Sequence, residues 1–268
     1  MKNVLSIAGS DPSGGAGFQA DLKTMCAMGV YGMTAITAVV AQNTCGVYRV
    51  QEMDPGMVAA QIEAVYTDIR VDAVKTGMVS NARIIAAIRD SLLRFNAKNI
   101  VIDPVMVAKS GDPLLQPDTE QAVRDFAAMA DVLTPNIPEA EIISGMAIRS
   151  EDDMIRAAEK ISALGPRSVL VKGGHRAGSG AEDLFYSGGK AVWLKAKRVE
   201  TRHTHGTGCT LSAAIACRLA LGDTAEEAAR AAKDYITKAI ASSYAVGKGN
   251  GPVGHLAELY RRAGVSTG

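Results

Sequence analysis

Residues 205–212 read HGTGCTLS and run directly into the apolar stretch AAIACRLALG. Gly206 and Gly208 permit a tight turn that can point the backbone N–H groups of Thr207, Gly208 and Cys209 into one concavity at the positive end of a following helix. Such a concavity holds an anion, either a phosphate or a developing oxyanion. The same donors are expected to draw the Cys209 thiol down from its reference pKa of about 8.5 toward neutrality, so that it could serve as proton acceptor or nucleophile. A cysteine hydrolase also needs an oriented histidine, and across a glycine turn the geometry of His203 and His205 is unforced. As an H-x-H pair these two could chelate a metal, but no third Cys, His or carboxylate has helpful spacing, and they read as loop or strand histidines.

Other polar motifs follow the β-type runs, where ligands bind in open parallel sheets. They are GSDPSGGAGFQAD, AQNT, GM, DPVMVAKSGD, TPNIPEAE and KGGH. The first packs four glycines into nine residues, so a backbone can approach a ligand closely. Its tail fits the loose dinucleotide fingerprint G-x-G-x-x-A, but six residues separate Ala8 from Gly15, and Gln42 stands near where an acidic residue is expected. The chain holds no Walker motif, so any nucleotide must be held by another loop. Asp103 and Glu139 could face the cleft and hold a hard cation such as Mg²⁺, which takes one or two carboxylates with waters and phosphate oxygens. As alternatives, Asp103 could be a turn cap and Glu139 a first-turn dipole partner. Lys172, before two glycines, could offer a point charge to phosphate or be a solvated strand end.

The elements that must position these groups alternate β and α from end to end, predicting an α/β fold of three layers, a mostly parallel sheet with helices on both faces. Strands are predicted at 3–8, 32–40, 73–76, 100–103, 131–133 and 169–172. An edge hairpin is predicted from 183–187 and 191–194 across Gly188-Gly189. Helices are predicted at 18–28, 55–67, 81–95, 118–129, 138–144, 151–164, 210–221, 224–245 and 253–263, with caps at Ser80, Asp54-Pro55 and Ser150. Val107 to Pro113 is a candidate lid because of its Ser, Gly and Lys content.

The 268 residues, 47% of them hydrophobic, suffice for one large core, and a single domain is expected. A net charge of +1, with charges scattered evenly, gives no footprint for nucleic acid or an acidic membrane. The opening apolar run is too short for a secretory signal and no window is long enough to span a bilayer, so a soluble cytoplasmic protein is expected. The four cysteines form no C-x-x-C pair; Cys26 and Cys217 read as small packed hydrophobes.

In this order, LSIAGSDPSGGAGFQADLKT, VYGMTAITAVVAQNT, VKTGMV, VIDPVMVAKSGDPLL, LTPNIPEAE, VLVKGGH and HTHGTGCTLSAAIA resemble the ribokinase-like superfamily. Within it they resemble the bacterial hydroxymethylpyrimidine/phosphomethylpyrimidine kinases of thiamine biosynthesis, over residues 3–260. The resemblance implies transfer of the ATP γ-phosphoryl group to 4-amino-5-hydroxymethyl-2-methylpyrimidine and then to its monophosphate. It implies that Gly206, Thr207 and Gly208 form an anion hole and that Cys209 stands where many superfamily sugar kinases place an Asp base. Gln42 would pair with the ring nitrogen and amino group of the pyrimidine, with Gly9, Ala16, Asp21, Met78 and Val105 completing the pocket. Asp103, Thr134, Asn136, Glu139 and Lys172 would form the Mg²⁺ and phosphate network. A homodimer is also implied. The alternatives are a pyridoxal kinase of the same superfamily, from which an intact AQNT argues away, and a non-catalytic nucleotide sensor, which would need no transfer apparatus.

Overall fold

The computed structural model describes residues 1–79, 81–106, 119–174 and 181–265. In chain order the elements begin β1 (Asn3–Ala8), α1 (Gly17–Ala27), β2 (Tyr31–Ile36), β3 (Ala38–Asn43), β4 (Gly46–Glu52), α2 (Pro55–Asp68), β5 (Ala73–Thr76), α3 (Ala82–Arg94) and β6 (Ile100–Ile102). They continue α4 (Thr119–Ala127), β7 (Val132–Leu133), α5 (Ile137–Ser144), α6 (Glu151–Ser162), β8 (Ser168–Val171), β9 (Asp183–Ser187), β10 (Lys190–Leu194), α7 (Thr207–Leu221), α8 (Ala225–Ala241) and α9 (Ala257–Arg262). The main sheet has eight strands in the order β10-β9-β8-β7-β6-β5-β1-β2, and β3 with β4 forms a separate two-stranded sheet. All pairings from β8 to β2 are parallel, whereas β9 and β10 join antiparallel as the expected edge hairpin.

Alternation along β1 shows how both faces are covered. Leu5 and Ile7 join a core with Ile62, Ile84, Ile88 and Ile161, from α2, α3 and α6. Val4 joins a second core with Met25, Ile215 and Ile236, from α1, α7 and α8. Each fully buried aliphatic chain of this kind contributes about 1.5–3 kcal/mol. Helix α7 is buried continuously from Thr210 to Cys217, as expected of a helix apolar on all sides. It packs on β1, β5 and β6 between α1 and α8, which brings its first turn to the strand ends.

The run predicted as one strand at 32–40 is two. Thr37 interrupts it: its N–H donates to the Ala8 carbonyl, its carbonyl accepts from Met53, and its hydroxyl donates to the Met78 carbonyl. Beyond Thr37 the chain leaves the main sheet and pairs with β4, a strand missing from the prediction because its residues are all exposed and carry no core signature. Helix α7 begins three residues earlier than expected, while α8 and α9 are shorter. Asp54 and Ser150 cap α2 and α6 as expected; Asn81 caps α3, and the Ser80 cap lies outside the described residues. The candidate lid at 107–113 also lies outside them. Cys217 is buried as expected, but Cys26 is exposed on the outer face of α1. Among the described residues, no helix is long and apolar enough to cross a membrane.

Candidate functional site

The cup at the start of α7 rests on Gly206, whose backbone is left-handed at φ 79°. A Cβ there would run into the Gly15 carbonyl oxygen, so only glycine lets the turn nest against the first glycine loop. The Thr207 N–H is turned back to the Thr204 carbonyl at 3.4 Å. The cup therefore offers two amides, those of Gly208 and Cys209, which the first helical turn leaves without an intrahelical acceptor. No acidic side chain occupies that turn to compete with an anion.

Asp103, just beyond β6, stands beside this cup. Its carboxylate accepts from Lys172 at 2.7 Å, Thr134 at 3.2 Å and Ser212 at 3.4 Å. A Cβ on Gly208 would lie 3.3 Å from Asp103 Oδ2 and 3.5 Å from Lys172 Nζ, so α7 presents its second residue directly to this pair. Glu139 lies 3.9 Å from Lys172 and closes a capping box, accepting from the Asn136 N–H at 2.7 Å while the Asn136 carboxamide accepts from the Glu139 N–H at 2.9 Å. Burial lifts the Glu139 carboxyl to about 7 despite Lys172, and Asp103 adds to the rise. Burial alone would lower the Lys172 ammonium, but Asp103 and Glu139 hold it above the ordinary lysine range. These groups suit a hard cation, since the donors are all oxygens and phosphate with water could complete the shell. Among the described residues, no group of three or more His, Cys, Asp or Glu converges as a metal site of the protein's own.

Cys209 is half-buried, and its thiol does not follow the expected downward shift. Burial raises it, outweighing the nearby Lys75 ammonium and the hydrogen bond from the Gly17 amide, while Asp21 and Asp103 push the same way as burial. The sequence indicates the donors but not the enclosure. Lys75 is absent from the expected site as well, although a lysine inside the wholly buried strand β5 is itself a signal. It binds Asp21 at 2.8 and 3.0 Å, and Asp21 also accepts from Ser6 at 2.5 Å. Burial works against the Lys75 charge, but Asp21, Cys209 and Asp103 hold it well above the usual lysine range. Asp21 is thus fully buried and engaged beneath the cup, which corrects its expected place in the substrate pocket: helix α1 turns it inward to the strand-borne lysine.

The opposite wall is organised by Asp11, another residue absent from the expected site. It is fully buried and accepts from the Ser13 N–H and hydroxyl, the amides of Gly15 and Ala16, and His205 Nε2 at 2.8 Å. Burial would raise its carboxyl, but His205, Ser13, a side-chain hydrogen bond from Gln42 and the Ala16 amide hold it far below the usual range. Its signal is the Asp-x-Ser-Gly-Gly spacing, which allows one carboxylate to gather successive loop amides. Gln42 comes to this wall from β3, not from the main sheet, and the register shifts between Ala41 and Gln42. Gly9 lies against Ala38 and the Met78 sulfur, and Val105 follows Asp103 in a tight turn. His203 accepts from the Gly251 N–H at 3.0 Å, and the His205 N–H donates to the Gly251 carbonyl, so neither holds a metal.

A mostly parallel sheet with helices on both sides, and a helix-start cup set beside a strand-end carboxylate and lysine, define a ribokinase-like phosphotransferase. Among solved structures, the chain matches a pyridoxal kinase from Bacillus subtilis in complex with ADP at a TM-score of 0.91 and 43% identity, covering 97% of this chain and 99% of that one. It matches a phosphomethylpyrimidine kinase from Clostridium difficile 630 at a TM-score of 0.80 and 46% identity, covering 90% and 100%. The chain belongs to the phosphomethylpyrimidine kinase family, whose profile matches residues 11–254. A hydroxymethylpyrimidine/phosphomethylpyrimidine kinase from Rhizobium meliloti is 53% identical over 257 residues, covering 94% of this chain and 96% of that one.

Proposed function

We propose that the protein transfers the ATP γ-phosphoryl group to the hydroxymethyl oxygen of 4-amino-5-hydroxymethyl-2-methylpyrimidine, and then a second phosphoryl group to that monophosphate, for thiamine biosynthesis. The observation that carries this is the meeting of the Gly208 backbone with Asp103 and Lys172 at the start of α7, one residue from Cys209. The Gly208 and Cys209 amides stabilise charge on the migrating group, and Lys172 draws the nucleotide phosphates toward it. Phosphoryl transfer passes through a loose transition state, so the acceptor hydroxyl needs orientation more than early deprotonation. A thiol with a raised pKa suits such a role, in which Cys209 aligns the hydroxyl and takes its proton late. Asp103 and Glu139 hold Mg²⁺, which neutralises phosphate charge when bound, and Thr134 and Asn136 keep these carboxylates in place. Gly9, Ala16, Met78 and Val105 line the pyrimidine pocket, and Gln42 reads the ring through one donor and one acceptor.

ATP as co-substrate is supported by relatives solved with ADP and with AMP-PCP. The single kinase domain acts in the cytoplasm as a homodimer, a reading supported by Val39, Val47, Tyr48 and Val50, which β3 and β4 hold exposed. A second reading, phosphorylation of pyridoxal, is favoured by the close likeness to the Bacillus subtilis pyridoxal kinase. Magnesium-dependent ATP consumption measured with each alcohol in parallel separates the two; a clear preference for pyridoxal overturns the first. Gln42→Ala should weaken pyrimidine binding by about 1–3 kcal/mol, the cost of unmet hydrogen bonds in a buried site. An unchanged Kd by calorimetry removes Gln42 from the pocket.

A further inference from the structure

We propose that Asp11 is a positioning residue for specificity: its carboxylate fixes which way the Gln42 carboxamide faces, and so makes the protein a reader of 4-aminopyrimidines. The proposal rests on the reading of Gln42 as a pyrimidine contact. An ionised carboxylate only accepts hydrogen bonds. Asp11 is fully buried, meets five donors at 2.6–3.0 Å from Ser13, Gly15, Ala16 and His205, and takes a further hydrogen bond from Gln42. Strand β3 is tied to the same loop, with the Val40 N–H donating to Ser10 Oγ at 2.9 Å and the Ser10 N–H donating to the Ala38 carbonyl at 2.9 Å. The register shift after Ala41 re-aims the next side chain, Gln42, relative to plain alternation.

Facing an acceptor, Gln42 must turn its Nε2 toward Asp11. One N–H is thereby engaged, and the groups left for a ligand are the second N–H and Oε1. That edge pairs with a ring nitrogen that accepts and an exocyclic amine that donates. A 4-oxo pyrimidine in its lactam form presents the reverse, an acceptor oxygen beside a ring N–H. To read it, Gln42 would have to flip and set Oε1 against the Asp11 carboxylate. Discrimination thus comes from a repulsion one layer behind the ligand. His205 holds Asp11 from the far side, and Gly15 makes room for it, since a Cβ there would lie 2.5 Å from His205 Cδ2.

The test compares kcat/KM for 4-amino-5-hydroxymethyl-2-methylpyrimidine with that for its 4-oxo counterpart. An Asn at position 11 can donate to a flipped Gln42, so Asp11→Asn should shrink the ratio about tenfold, the worth of one hydrogen bond to a charged group. Loosening of the glycine loop lowers both rates alike and cancels in the ratio. In a Gln42→Leu background Asp11→Asn should leave the ratio unchanged. If Gln42→Leu itself does not alter KM for the aminopyrimidine, the reading of Gln42 as a ligand contact fails. If it does, and Asp11→Asn leaves the ratio as in the unsubstituted protein, the Asp11 proposal fails. Should Asp11→Asn not fold, a structure of the unsubstituted protein with the aminopyrimidine decides: Gln42 is expected between Asp11 and the ring, and a Gln42 out of hydrogen-bond reach of Asp11 overturns the proposal.

Discussion

Two lysines approach Cys209 from below and beside, and they live in different surroundings. Lys75 has no exposed side-chain surface and gives its charge to Asp21, itself sealed. Lys172 keeps 16% of its side chain open and shares its charge between Asp103 and Glu139 at the cup. A sealed pair can shape the field around the thiol but cannot travel with a ligand; an open one can exchange a carboxylate for a phosphate. The difference teaches that one cation is structural in where it sits and the other chemical in what it can reach.

The sharpest way to break the comparison is to neutralise each lysine. Lys75→Met leaves Asp21 buried without its partner and should cost about 3–5 kcal/mol in urea unfolding, most of it regained by adding Asp21→Leu. Lys172→Met should fall chiefly on catalysis, lowering kcat about a hundredfold or more, with a smaller stability loss. Equal stability losses would erase the distinction. A pH series tests the support of the cup from another side, because His255 bonds to Thr210 in the first part of α7 at 3.0 Å. Burial, followed by Lys23 and His205, lowers the His255 imidazole from 6.5 to about 4. Between those values the unfolded chain binds a proton that the folded one refuses, so stability should be complete above pH 6.5 and fall by up to about 3 kcal/mol on acidification to pH 4. His255→Phe should flatten that slope. Cys209→Ala should reduce kcat about a hundredfold, at the low end of what general acid–base groups contribute, with KM little changed. A near-normal kcat would leave the amides and Lys172 to act alone.

The layers, the sheet direction and the edge hairpin are legible in the sequence because alternation and apolar runs record burial directly. The meeting of Gly208, Asp103 and Lys172 is legible as well, since each follows a predicted strand or opens a predicted helix. Gln42 is legible as a residue but not as a place: nothing local says that Thr37 would be taken by Ala8, Met53 and Met78 and send the chain into another sheet. Asp21 and Lys75 are hidden for a related reason. Their partnership spans 54 positions, and charge patterning reads only neighbours. The direction of the Cys209 shift depends on enclosure, which no spacing of donors reveals.

Asp11 and His205 are separated by 194 positions, yet the glycine turn nests only when both are in place. A growing chain must therefore deliver most of its length before the catalytic pocket can assemble. Truncated translation products ending short of residue 205 would carry most of the sheet and no phosphate cup, and the final closure should be among the slower, long-range events of folding.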